Sequence, residues 1–192
     1  MPKIVDHDQR RADIATAFAT VARRDGVAAA SVRTVAAEAG LSPGALRHYF
    51  DSQAGLVLFV AERLIGTAER RTRAAIAAAE GPEGRLQALE QLLPLDDARR
   101  AEFDVWHAVV VGARGDARLA ALNETSWQGI DRVCRWVLTE TGVDAPRLDA
   151  ETARLHVLTD GLALHLSLNP DRMTPALARA VLRDHVAALA GS

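Results

Sequence analysis

The residues best placed for recognition chemistry lie in the stretch 31–50, SVRTVAAEAGLSPGALRHYF. Arg47, His48 and Tyr49 close a short segment that opens with Ser42, Pro43, Gly44 and Ala45. Small residues at the leading end let a helix backbone come close to another surface. A guanidinium after them can bridge two acceptors on a guanine edge. The chemistry on offer is non-covalent reading of base edges in a DNA major groove. The same residues also suit an ordinary helical corner with solvated polar side chains.

A second set is apolar and aromatic. Phe103, Trp106, His107 and Val110 share one face at helical spacing, and Trp127, Ile130, Cys134 and Val137 repeat along the next segment. Such residues can line a ligand cavity, and tryptophan faces attract cations. They serve equally well as plain core. His156, Asp160 and His165 raise a metal reading, but Asp160 and His165 do not share a helix face. The single cysteine, Cys134, excludes an internal disulfide and lacks an activating partner. With no phosphate-cradling loop or paired carboxylates, the expectation is a protein without enzymatic activity, metal or cofactor.

The elements that must position these groups read as helices. Ile14, Ala17, Phe18, Val21 and Ala22 form one helical face, closed by Gly26. Ser31 caps a second helix carrying Val35 and Ala36, Gly40 ends it, and Ser42-Pro43 starts a brief third. Within this unit Val35, Leu41, Leu46 and Phe50 are expected to fix the interhelical angle. A long fourth helix follows to about residue 79. After Gly81-Pro82 come helices near 83–93, 97–113, 116–141, 147–168 and 174–190. No segment alternates with period two for long, so the fold class is all-α with about nine helices. The expected division is a three-helix DNA-binding domain over 1–51 (its helix-turn-helix at 31–50), a connecting helix over 52–80, and a ligand-binding and dimerisation domain over 81–192.

Charge is uneven. The first 50 residues carry seven Lys/Arg against five Asp/Glu, net +2, so the remainder holds −4 of the total −2. A basic head on an acidic body suits a local phosphate-facing surface. The charged start lacks a signal-peptide core and no window approaches about 18 apolar residues. A cytoplasmic, membrane-free protein is expected.

Residues from Arg11 to about Leu64 resemble the DNA-binding domain of the tetracycline-repressor (TetR) family. The resemblance rests on Phe18 and Gly26, Val35-Ala36, Ala39-Gly40-Leu41-Ser42, His48-Tyr49-Phe50, and Ser52-Gln53-Ala54-Gly55-Leu56. It implies DNA contacts from Arg10, Arg11, Ser31, Arg33, Ser42, Pro43, Gly44, Ala45, Arg47, His48, Tyr49 and Gln53, with Lys3 assisting on phosphate. Two positions depart from the family pattern. Arg47 replaces a usual tyrosine, and Gln53 replaces a frequent phosphate-binding lysine, which weakens that contact. Trp106 to Leu122, with Asp160-Gly161-Leu162-Ala163-Leu164 and Pro170, resembles the ligand domain of choline-responsive betaine-pathway repressors. That resemblance implies a homodimer built from the last two helices and an effector pocket in each subunit.

The segment 155–168 is apolar on two sides, with Leu155, Leu158, Leu162 and Leu166 opposite Val157, Leu164 and Leu168. The final segment is apolar over half its circumference. A helix with two apolar faces needs two partners, and a second copy can be one of them. The expected dimer contacts are Val157, Leu164, Leu168, Leu182, Val186 and Leu189. The effector contacts expected are Phe103, Trp106, His107, Val110, Trp127, Ile130 and Cys134. The whole reads as a repressor that binds a pseudo-palindromic operator as a dimer and is released by a small molecule. A small helical enzyme and a helical scaffold without DNA function are the alternatives.

Overall fold

Proline and capping residues set where several of the helices begin. The computed structural model describes residues 7–190, and every element among them is helical. The elements are α1 (His7–Asp25), α2 (Val32–Glu38), α3 (Pro43–Arg47), α4 (Gln53–Ala77), α5 (Gly81–Glu90), α6 (Asp97–Gly112), α7 (Ala117–Thr141), α8 (Ala145–Leu168) and α9 (Pro175–Leu189). The all-α expectation with about nine helices therefore holds. None of these helices is long and apolar enough to cross a membrane.

Ser31 and Ser42 cap as the sequence signals, and the structure adds Thr174. Ser31 Oγ accepts from Thr34 N–H at 3.2 Å, Ser42 Oγ from Ala45 N–H at 3.1 Å, and Thr174 Oγ1 from Leu177 N–H at 3.2 Å. Each satisfies a donor that the helix itself leaves unpaired, and losing one costs about 1 kcal/mol. Gly40 closes α2 with φ 66°, a left-handed backbone that L side chains rarely adopt. Leu41 N–H then reaches back to the Ala36 carbonyl at 2.8 Å. A 3-10 turn at Val27–Ala29 precedes α2. Three residues have no periodicity to reveal, so the sequence reading has no element there.

The chain forms two compact units. One holds the described residues up to Leu64 together with Asp104–Asn123; the other holds Ile65–Phe103 and the described residues from Glu124 onward. These units differ from the division at 51 and 80. The end of α6 and the start of α7 group with the N-terminal helices, a long-range association that no local signal marks.

In the first unit Ile14, Phe18 and Val21 of α1 are fully buried, as are Val35 and Ala36 of α2, Leu46 of α3 and Leu56 of α4. Burial of one such large side chain is worth roughly 1.5–3 kcal/mol. The second unit has its own core, in which Leu89, Leu93, Val137, Leu138, Leu155, Leu166 and Leu182 are almost wholly enclosed. Arg71 of α4 meets both Glu102 oxygens at 3.0 and 3.1 Å and the Gln91 carbonyl at 3.1 Å. This fork ties α4, α5 and α6 together within that unit.

Helix α8 divides as its wheel indicates. Leu155, Leu162 and Leu166 are buried, whereas Val157 is 71% exposed, Leu168 62% exposed, and Leu164 half-buried. Helix α9 requires a correction. Leu182, Val186 and Leu189 belong to the chain's own core rather than to an outward surface. Periodicity finds an apolar face but does not say whether the same chain or a second copy covers it.

Candidate nucleic-acid interface

A five-residue helix cannot hold itself together, so α3 depends on what lies behind it. Leu46 is fully buried and Phe50 nearly so, while Leu41 is half-buried. Anchoring on these residues turns Ser42, Pro43, Gly44, Arg47 and His48 outward, with Ala45 and Tyr49 half-buried at the margin. Arg33, on α2, is also exposed. Arg33, Arg47 and His48 have no hydrogen-bonding, ionic or ring partner among the described residues. Three cationic or donor-bearing groups thus stand in solvent beside a small-residue helix start. That is the composition needed for close approach to a groove.

Ser31 and Ser42 are engaged first as caps. The Ser42 oxygen accepts from Ala45 N–H, and its own O–H can still donate to a phosphate. Arg10 is half-buried. Arg11 is no free arm. Its guanidinium lies 5.8 Å from the Phe50 ring centroid and 5.5 Å from that of Phe59, and the two rings sit 5.2 Å apart. Cation–π contact fixes the guanidinium over the rings and leaves its edge exposed. Lys3 lies outside the described residues.

Gln53 needs the clearest correction. Its Oε1 accepts from Val32 N–H at 3.0 Å, and its Nε2 donates to the Ala30 carbonyl at 2.6 Å. Both ends of the amide are therefore spent on tying the start of α4 to the start of α2. A lysine has no acceptor and could not make the first contact. Motif alignment treats Gln53 as a weakened phosphate contact, because the use of its amide depends on a residue 21 positions earlier.

Two further contacts brace this unit. Arg24 at the end of α1 reaches Glu38 of α2 at 3.1 Å. Arg118 meets Asp116 at 3.1 Å and approaches Asp51 at 4.0 Å. The hydrogen bond from Arg118 holds the Asp116 carboxyl below the usual carboxylate range.

The effector candidates separate. Trp106, His107 and Val110 are half-buried in the first unit, where Val105 and Val109 are the enclosed positions of α6. In the second unit Phe103 and Ile130 are half-buried and Trp127 is 51% exposed. Cys134 is fully enclosed there, and burial pushes its thiol up to about 12. It is core, and inert at neutral pH. The sequence reading missed Asp131, which lies on α7 at 3.9 Å from Nδ1 of His156 on α8. The i,i+4 pair His156–Asp160 was visible in the sequence, but the third member comes from another helix.

The family described as "BetI-type transcriptional repressor, C-terminal" matches residues 82–191, and "Bacterial regulatory proteins, tetR family" matches residues 14–60. The transcriptional regulator PksA of Bacillus subtilis is 35% identical over 97% of this chain and 92% of its own length. A solved transcriptional regulator from Rhodococcus superposes with a TM-score of 0.82 at 29% identity, covering 93% of this chain and 95% of that one. Another, from Saccharomonospora viridis and in complex with choline, shares the fold with a TM-score of 0.81 at 22% identity, covering 94% of this chain and 96% of that one.

Proposed function

The chain belongs to the tetR family of bacterial regulatory proteins, with a BetI-type C-terminal region, and from that premise we propose that two copies bind a pseudo-palindromic operator and release it when a small molecule binds. The chain is a DNA-binding transcriptional regulator rather than an enzyme. What remains is how its own residues divide the work. Residues 1–51 read DNA, 52–80 connect, and 81–192 take the effector and form the dimer.

One observation carries the reading of the head. Arg47 and His48 project from a helix whose rear, Leu46 and Phe50, is locked into the core. With Pro43, Gly44 and Ala45 against the groove floor, Arg47 is the group able to bridge two acceptors on a guanine. Arg10, Arg33, Tyr49 and the edge of Arg11 hold phosphate, which sets register without reading sequence. Ser42 adds a donor at the N-terminus of α3. Ser31 and Gln53 act by shaping α2.

The dimer is proposed through the outward side of α8. Val157, Leu164 and Leu168 recur there at helical spacing, with Val157 and Leu168 more than half exposed. Leu177 on α9 is also exposed, at 45%. Apolar area of this kind is costly in water and is ordinarily covered by a partner. The effector is proposed to meet Phe103, Trp127 and Ile130, and separately Trp106, His107 and Val110 on α6. A regulator of this fold holds choline, and exposed tryptophan faces such as that of Trp127 suit a cation. The effector releases DNA only through unequal affinity for the DNA-competent and incompetent states.

Footprinting on the DNA upstream of the protein's own gene tests the proposal. Protection of two half-sites about one helical turn apart is expected. A single protected half-site, or uniform coating without sequence preference, would overturn the dimeric reading.

A further inference from the structure

His156 is 97% enclosed, and neither of its ring nitrogens has a hydrogen-bond partner. Its Nδ1 faces Asp131 Oδ1 at 3.9 Å and its Nε2 faces Asp160 Oδ2 at 3.7 Å, both beyond hydrogen-bonding reach. The two carboxylates make no hydrogen bond and meet no arginine or lysine among the described residues. They are only partly exposed, at 26% for Asp131 and 42% for Asp160. On the same helix pair Trp127 lies against the imidazole, with ring centroids 4.9 Å apart, and stays half exposed itself.

Buried polar groups are almost always paired, and an unpaired set calls for a physical reason. Here the buried atoms without a hydrogen bond are the two ring nitrogens of His156, flanked at ion-pair distance by two part-exposed carboxylates and set beside an aromatic surface open to solvent. A single metal ion does not fit, because the carboxylates flank opposite edges of the imidazole. The missing complement is a cation that brings its own N–H donors. Carboxylates reward such a donor with charge-assisted hydrogen bonds, and the tryptophan accommodates an apolar body.

We propose that Asp131, His156 and Asp160, with Trp127, form a binding site for a small organic cation bearing N–H groups, such as a primary ammonium or amidinium. The ammonium donates to the carboxylates on either side of the His156 ring, and the apolar remainder packs on Trp127. A quaternary ammonium satisfies the charge but cannot donate, so the site discriminates against it. The cost of holding part-buried carboxylates without a hydrogen bond is then offset when ligand is present. Burial already raises the Asp160 carboxyl above its ordinary range, against the opposing effect of His156. The site deepens the effector reading above, but its occupancy does not depend on DNA.

The test is direct binding to the full chain without DNA, by calorimetry, using benzylamine, benzyltrimethylammonium and benzyl alcohol as probes. Benzylamine should bind, the alcohol should not, and the quaternary ion should bind roughly ten-fold or more weakly, the worth of a charge-assisted hydrogen bond. Asp160→Asn and Asp131→Asn should each weaken benzylamine by a similar factor. A thermal melt keeps the result interpretable: Asp160→Asn should melt no lower than wild type, since the carboxylate has no hydrogen bond to lose and burial disfavours its charge. Equal binding of all three probes, or benzylamine binding that survives both substitutions, overturns the proposal. So does a shift from dimer to monomer in either variant without benzylamine binding, which would assign the carboxylates to subunit contact. Operator recognition can stand or fall independently of each result.

Discussion

Replacing Gln53 with alanine removes two hydrogen bonds at once, from Val32 N–H at 3.0 Å and to the Ala30 carbonyl at 2.6 Å. A net hydrogen bond is worth about 0.5–1.5 kcal/mol; the bond from Val32 N–H is exposed, which favours the lower end there, whereas Ala30 is fully buried. Alanine's better helix propensity offsets a few tenths of a kcal/mol at the start of α4. The expected loss is therefore about 1–2 kcal/mol. At roughly 2–4 °C per kcal/mol for a chain of this size, the melting midpoint should fall by roughly 2–8 °C. Operator affinity should fall further than a lost phosphate contact explains, because the seven-residue α2 positions α3. Gln53→Lys separates the two roles: stability should drop while the salt dependence of DNA binding steepens by about 0.9 in log–log slope for one added phosphate contact. Circular dichroism melts and anisotropy titrations at two salt concentrations give both numbers. An unchanged melting midpoint in Gln53→Ala would refute the claim that this amide holds α2 to α4.

Further outcomes follow from the same geometry. Arg47→Ala should cost about 1–3 kcal/mol at one operator position and relax preference there; an equal loss across single-base variants with a shallower salt slope would place it on phosphate. Val157→Asp puts a charge into the proposed α8 surface and should give monomer by light scattering, whereas a wild-type-like dimer would clear that face of any role. Native Cys134 should resist thiol reagents at pH 8 and react only on unfolding, since burial holds the thiol near 12; stoichiometric native labelling would contradict its place in the core. For Asp160, the folded carboxyl titrates above the unfolded one. Its stabilising effect is therefore complete below the ordinary carboxylate range and disappears as pH rises through the folded value. Asp160→Asn should remove that decline in acid-to-neutral melts.

Much of the fold was legible because local rules agree with it. Ser31 and Ser42 are capping residues in the sequence and caps in the structure. Gly40 marks a turn that demands positive φ. The buried and exposed sides of α8 follow from its wheel. The misreadings share one physical origin: each depends on what lies opposite. The apolar face of α9 meets its own core, so Leu182, Val186 and Leu189 could not be told from interface by spacing. The ring contacts of Arg11 were hidden because Phe50 and Phe59 come together only in the fold. Gln53 looked like a diminished lysine because its partners lie beyond the reach of a motif. Asp131 was invisible beside His156 because α7 and α8 bring them together across 25 residues.

The central claim is that two copies of this head read successive major grooves in fixed relation. Once the protected operator is known, inserting five base pairs between its half-sites rotates one of them by about half a turn. Titration of the original and the spaced duplex, measured at one salt concentration, tests the claim most directly. The account predicts that binding to the spaced duplex falls toward the non-specific level, because one recognition helix then faces backbone. Equal affinity for both duplexes would contradict it and leave each head reading DNA alone.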